Sequence, residues 1–166
     1  MKGPFYRELN KYVRAEKVRR QWVLLLNELI TYVIMLIYLI CLIVLTVHHS
    51  YKELFLLIGA PLAGFILARF LRMILKVPRP YQVLRIRPLL RKRSDSYSLP
   101  SCHIASAFVI GVSLCSLHLT APGIIVIILG IILAVMRVLA GAHYVRDVLA
   151  GAGLGILCGL VPYVIH

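Results

Sequence analysis

WVLLLNELITYVIMLIYLICLIVLTV, residues Trp22–Val47, is an apolar run longer than the roughly 20 residues a helix needs to cross a bilayer. Trp22 at its start suits the headgroup level, where aromatic rings anchor spanning helices. Four further apolar stretches follow, Leu54–Leu75, Ser101–Leu119, Gly123–Ala140 and Val148–Ile165. The chain is 61% hydrophobic, against roughly half for a soluble domain, and its mean hydropathy is +0.90. The expectation is an all-α integral membrane bundle of about five transmembrane helices, each satisfying its own backbone polar groups. The stretches lie too close together to leave room for a second domain.

Toward the N-terminus the character changes. From Phe5 to Gln21, apolar Phe5, Leu9, Tyr12 and Val13 alternate at helical spacing with basic Arg7, Lys11, Arg14 and Lys17. Residues 1–21 are therefore expected to form an amphipathic helix that lies in the membrane interface, leaving 22–166 as the transmembrane domain. No small-residue cleavage site follows the first run, so no removable signal peptide is expected.

The formal net charge is +13, concentrated in two places. Lys2–Arg20 carries seven of the basic residues, and Lys76–Arg93 carries Lys76, Arg79, Arg85, Arg87, Arg91, Lys92 and Arg93. Both border apolar runs, which points to anionic phospholipid headgroups as partners. No motif for nucleic acid accompanies the charge, and nothing calls for an obligate protein partner. Cys41, Cys102, Cys115 and Cys158 stand singly, with neither zinc-ligand spacing nor a disulfide framework.

Span parity makes the loops informative. The second span is expected to end near Val77, because Pro78 and Pro80 bias their predecessors away from helix. Counting crossings then places the ends of spans two and four and the starts of spans three and five on one membrane face. Three segments converge there: RMILKVPRP (Arg72–Pro80), PSCH (Pro100–His103) and RVLAGAHYVRD (Arg137–Asp147).

Their residue types suit phosphoryl chemistry. His143 and Asp147, four apart, share a face of the helix opening span five, so the carboxylate could fix the imidazole tautomer and leave its other nitrogen as nucleophile or base. Ser101, a favoured N-cap residue, would open span three with outward backbone N–H groups suited to a phosphate. His103 beside it could protonate a leaving oxygen. Arg72 and Arg79 lie two turns apart and would share a face if the helix ran to Val77. With Arg137 they would clamp an anion whose charge is spread over several oxygens. A His, His, Asp cluster could also suggest zinc, but three nearby arginines oppose a cation.

These segments resemble, in order and spacing, the KxxxxxxRP, PSGH and SRxxxxxHxxxD signatures of the type 2 phosphatidic acid phosphatase superfamily. The resemblance runs from Arg72 to the C-terminus and implies a metal-independent lipid phosphatase without cofactor. Carried over by position, it implies His143 as the nucleophile forming a phosphohistidine, Asp147 as its orienting partner and His103 as the acid. Arg72, Arg79, Ser101, Cys102 and Arg137 would bind phosphate. Arg72 stands where the family has Lys, Cys102 where it has Gly, and Met136 where it has Ser. Lys76, one turn on, is a second candidate for the lysine's role.

The expected function is hydrolysis of phosphomonoester or pyrophosphate groups on a membrane lipid. Lipid A 1-phosphate, phosphatidylglycerophosphate and undecaprenyl pyrophosphate are all compatible. The alternatives are a lipid phosphotransferase and a non-catalytic lipid-binding or transport subunit. The positive-inside rule would put the basic loops, and the site with them, in the cytoplasm. The resembling bacterial enzymes usually face the periplasm, and charges that serve substrate weaken the rule. The expectation is a multi-pass protein of the bacterial inner membrane with a periplasmic site.

Overall fold

The computed structural model describes residues 3–84, 86–90 and 97–165. Its helices are α1 (Gly3–Ala15), α2 (Lys17–Val47), α3 (Tyr51–Leu75), the single turn α4 (Pro80–Val83), α5 (Cys102–Ser116), α6 (Thr120–Leu139), α7 (Val145–Gly159) and α8 (Val161–Ile165). This is the expected all-helical membrane bundle. Among the described residues, four segments are long and apolar enough to span, Lys17–Val47, Tyr51–Val83, Thr120–Leu139 and Val145–Ile165. The fifth expected span is the 15-residue α5, which at 1.5 Å per residue reaches about 22 Å, short of a hydrocarbon core of about 30 Å.

Burial explains the short helix. Helix α5 packs against α3, α6 and α7, and Ile104, Ala105, Ala107, Val109 and Leu114 on it are at most 1% exposed. A helix enclosed by protein need not match the bilayer. Helices α2, α3, α6 and α7 turn isoleucine, leucine and phenylalanine outward, Phe55, Ile66, Ile128 and Leu149 among them, as a lipid-facing surface requires.

Helices α5 and α7 approach closely because of a glycine stripe. On Gly155 a Cβ would lie 2.6 Å from the Ala105 carbonyl oxygen, and on Gly151 one would lie 2.6 Å from that of Ser101. Small residues four apart are how membrane helices bring their backbones together, since lipid offers no hydrophobic drive for association. Ser116 Oγ then donates to Gly159 O at 3.1 Å.

Pro61 inside α3 cannot donate to the carbonyl of Leu57. Tyr38 Oη on α2 donates to that oxygen instead, at 3.0 Å, restoring the bond a bilayer-embedded backbone cannot forgo.

The expected N-terminal helix forms, but its boundary moves. Glu16 takes an extended conformation and breaks the chain there, and α2 begins at Lys17, five residues before the apolar run. Helix α1 buries Tyr6, Asn10 and Val13, while Phe5 and Tyr12 are exposed.

Candidate active site

Helix α3 stops at Leu75 because Lys76 adopts a left-handed conformation, φ 47°. Arg72 and Arg79 therefore do not share a helical face. Arg79 instead occupies the N-cap of α4, and its Nη1 lies 3.4 Å from Ala142 O, just before His143. Arg72 folds its guanidinium onto Pro100 O, Nε at 3.1 Å and Nη2 at 2.6 Å. The two arginines reach the same place by different routes, one from a helix end and one from the turn after it.

Helix α6 ends at Leu139, and Gly141 takes φ +69°, a left-handed closure open to glycine at little steric cost. The turn presents His143 just before α7. His143 is 1% exposed and Asp147 0%. Asp147 Oδ2 accepts the Tyr144 N–H at 2.9 Å, while His143 Nδ1 lies 3.7 Å from the same oxygen. That is too long for a formed hydrogen bond, but it turns Nδ1 toward the carboxylate and leaves Nε2 as the other face of the ring. Burial lowers the imidazole pKa to about 4, with Asp147 opposing and Arg79 and Arg72 reinforcing the shift. His143 is therefore neutral at pH 7.

A cavity of about 590 Å³ opens beside this ring, lined by Arg72, Arg79, Cys102, His103, Arg137 and His143. The structure thus brings together residues from the ends of α3 and α6, the starts of α4 and α5, and the turn before α7. Lys76 is exposed and does not line it. Ser101, next to Cys102, is not among the lining residues: it is 0% exposed, its backbone N–H donates to Asp147 O at 3.0 Å, and its hydroxyl makes no side-chain cap. Its backbone thus ties α5 to α7, while its buried hydroxyl has no hydrogen-bond partner among the described residues. Of the basic loop, Arg87 is described and its carbonyl accepts from Asn10 and Arg14; Arg85, Arg91, Lys92 and Arg93 fall outside the described residues.

The PAP2 superfamily model matches residues 52–166, which contain Arg72, Arg79, Ser101, Cys102, His103, Arg137, His143 and Asp147. The chain belongs to the PAP2 superfamily. Solved structures with this fold include LpxE of Aquifex aeolicus, 24% identical, with a TM-score of 0.73 over 96% of this chain and 92% of that one. Another is the first transmembrane PAP2 type phosphatidylglycerolphosphate phosphatase from Bacillus subtilis, 18% identical, TM-score 0.61, covering 99% of this chain and 96% of that one. At such identities the likeness is one of fold. No curated protein matches the sequence.

Two features of this PAP2 site were not anticipated from the motifs. Tyr6 on α1 is 5% exposed, and its hydroxyl accepts the Val145 N–H at 3.1 Å, satisfying one of the donors a helix start leaves open. Its ring meets that of Tyr144 edge-on at 5.2 Å, so α1 braces the His143–Asp147 segment. The cavity also extends between α2 and α3, where Glu28 and Arg69 line it. Both are charges inside apolar runs, a signal the sequence did carry.

Proposed function

We propose that this protein is a metal-independent membrane phosphatase that removes phosphomonoester or pyrophosphate groups from lipids through a phosphohistidine on His143. The observation that carries the reading is a buried histidine, its Nδ1 turned to a buried carboxylate, on the lining of a cavity that Arg72, Arg79, Arg137 and His103 also line.

Nε2 of His143 attacks phosphorus as the bond to the leaving oxygen breaks, and His103 gives its proton to that oxygen. The new imidazolium-like ring draws Nδ1–H onto Asp147, closing the 3.7 Å gap; such contacts tighten as charge develops. The arginines stabilise the equatorial oxygens. A water, losing a proton to His103, then attacks phosphorus and releases phosphate with His143 restored. Cys102 contributes its backbone N–H at the start of α5, and Ser101 holds α5 against α7.

Residues 1–21 act as an interfacial segment and 22–166 as the phosphatase domain. The opposite end of the cavity is lined by Ile34, Met35, Phe65 and Leu133, which suits hydrocarbon chains of a substrate that stays in the bilayer. Phosphatidylglycerophosphate, lipid A 1-phosphate and undecaprenyl pyrophosphate are the candidate substrates, handled in a bacterial inner membrane with the site facing the periplasm. A periplasmic reporter fused after His166 would overturn that orientation.

The test is phosphate release by purified protein in detergent with chelator present, from a panel of lipid phosphates and pyrophosphates, beside His143→Ala. Activity that survives chelator and is lost in the variant is expected. Cleavage without free phosphate would favour a phosphotransferase, and no cleavage by folded protein a lipid-binding subunit.

A further inference from the structure

The cavity is graded along its length. Glu28, Thr31 and Met35 take successive turns of one face of α2, and Arg72, Arg69 and Phe65 do the same on α3, all lining the same space. Arg69 thus sits one turn, about 4.5 Å, deeper than Arg72, and Thr31 and Met35 lead from Glu28 to the apolar end. Between the catalytic end and the hydrocarbon end lies a belt holding one acid and one base.

Among the described residues, neither charge is used in an ion pair. The ion pairs among the described residues are Lys11 with Glu8, Arg19 with Glu16, and His143 and Arg146 with Asp147. Among the described residues, Arg69 lies over the Phe65 ring, 5.8 Å from its centroid. Thr31 Oγ1 donates to Asn27 O at 2.8 Å, which leaves the hydroxyl oxygen as an acceptor. A charge on a membrane-spanning helix is costly, and a carboxylate in a cavity built for phosphate repels the substrate's reactive group. Glu28 and Arg69 are both exposed on the lining of this cavity, so both are open to a ligand, and a ligand that donates hydrogen bonds to Glu28 offsets that repulsion.

We propose that Glu28 and Arg69 form a headgroup subsite that selects lipids carrying hydroxyl or amino donors and a further anionic or polar oxygen beside the scissile phosphate. This rests on the phosphatase reading and narrows it to polyol or sugar phosphate headgroups. Glu28 accepts from the hydroxyl or amine, with Thr31 as a second acceptor. Arg69 binds the oxygen nearer the chains. A linear prenyl pyrophosphate has no donor beyond its phosphates and meets Glu28 only as a repulsive charge.

The experiment compares Glu28→Gln and Arg69→Gln with the parent on four substrates: phosphatidylglycerophosphate, an acylated glucosamine 1-phosphate, phosphatidic acid and farnesyl pyrophosphate. Selectivity is read as kcat/KM and also as equilibrium binding in a His143→Ala background, which needs no turnover. Loss of a hydrogen bond to a charged group predicts a fall of about 10-fold or more for the two donor-bearing headgroups with Glu28→Gln, and unchanged or improved use of farnesyl pyrophosphate. The phosphatidylglycerophosphate and glucosamine arms separate the polyol from the sugar. Arg69→Gln should weaken the donor-bearing lipids more than phosphatidic acid. An equal effect on all four substrates, or none, would mean that both side chains only reach for the membrane interface, and would overturn the proposal. Failure of the parent to release phosphate from any lipid would sink the phosphatase reading, while binding selectivity would still decide the subsite.

Discussion

Replacing Gly151 with Ala tests whether the α5–α7 approach sets the geometry of catalysis. The added Cβ would lie 2.6 Å from Ser101 O, 3.3 Å from Ser101 N and 3.4 Å from Ala105 N. The first contact is about 0.8 Å or more inside van der Waals separation, and it is made by backbone, which no rotamer change can move. The start of α5 must therefore back away from α7. That stretches the 3.0 Å bond from Ser101 N–H to Asp147 O and carries His103 away from His143. Misplacement on the order of 1 Å costs roughly 100-fold in rate, so a partly relaxed shift should lower kcat/KM by about 10- to 100-fold. Overpacking should also cost about 1–3 kcal/mol, seen as a lower Tm by circular dichroism in detergent. Gly153→Ala is the control, because a Cβ there meets nothing within 4 Å; activity should hold, and helix propensity adds up to about 1 kcal/mol of stability. Gly151→Ala protein with parental kcat/KM and Tm, or equal losses in both variants, would refute the reasoning.

Acid should weaken the fold through His143. Its folded pKa is held down at about 4 by burial against about 6.5 unfolded, so the unfolded chain binds more protons across that window and stability, complete above pH 6.5, declines as pH falls; at pH 5 the loss is about 2 kcal/mol, and His143→Gln should flatten the slope of Tm against pH. Tyr38→Phe removes the donor to Leu57 O next to Pro61 and should cost about 1–3 kcal/mol with kcat/KM nearly unchanged; an unaltered Tm would show that the carbonyl finds another partner.

Much of this protein was legible along the chain. Apolar runs too long for a soluble helix dictated a bundle, because lipid leaves backbone groups no other partner. Span parity placed Arg72, His103, Arg137 and His143 on one face, and the cavity lined by all four agrees with it. The motif spacing carried the superfamily, and residues 52–166 match its model. These are properties of local hydropathy and counting, which need no knowledge of neighbours.

Packing decided the rest. Hydropathy cannot show that α5 is enclosed and so may be only 15 residues long. It also cannot separate Gly151, which admits the Ser101 backbone, from Gly153, which faces open space. Ser101 has the composition of a phosphate donor, yet the approach of α7 takes its N–H for Asp147 O. Tyr6 reaches the N-terminus of α7 across 139 residues of sequence, a distance over which no periodicity speaks. Sequence alone carried the residue types suited to phosphoryl chemistry and, through span parity, a common face for them, because burial of apolar surface and backbone satisfaction act locally. Which of them line a common cavity, and which tie helices together, was decided by the tertiary structure, because it depends on the spacing of segments far apart in the chain.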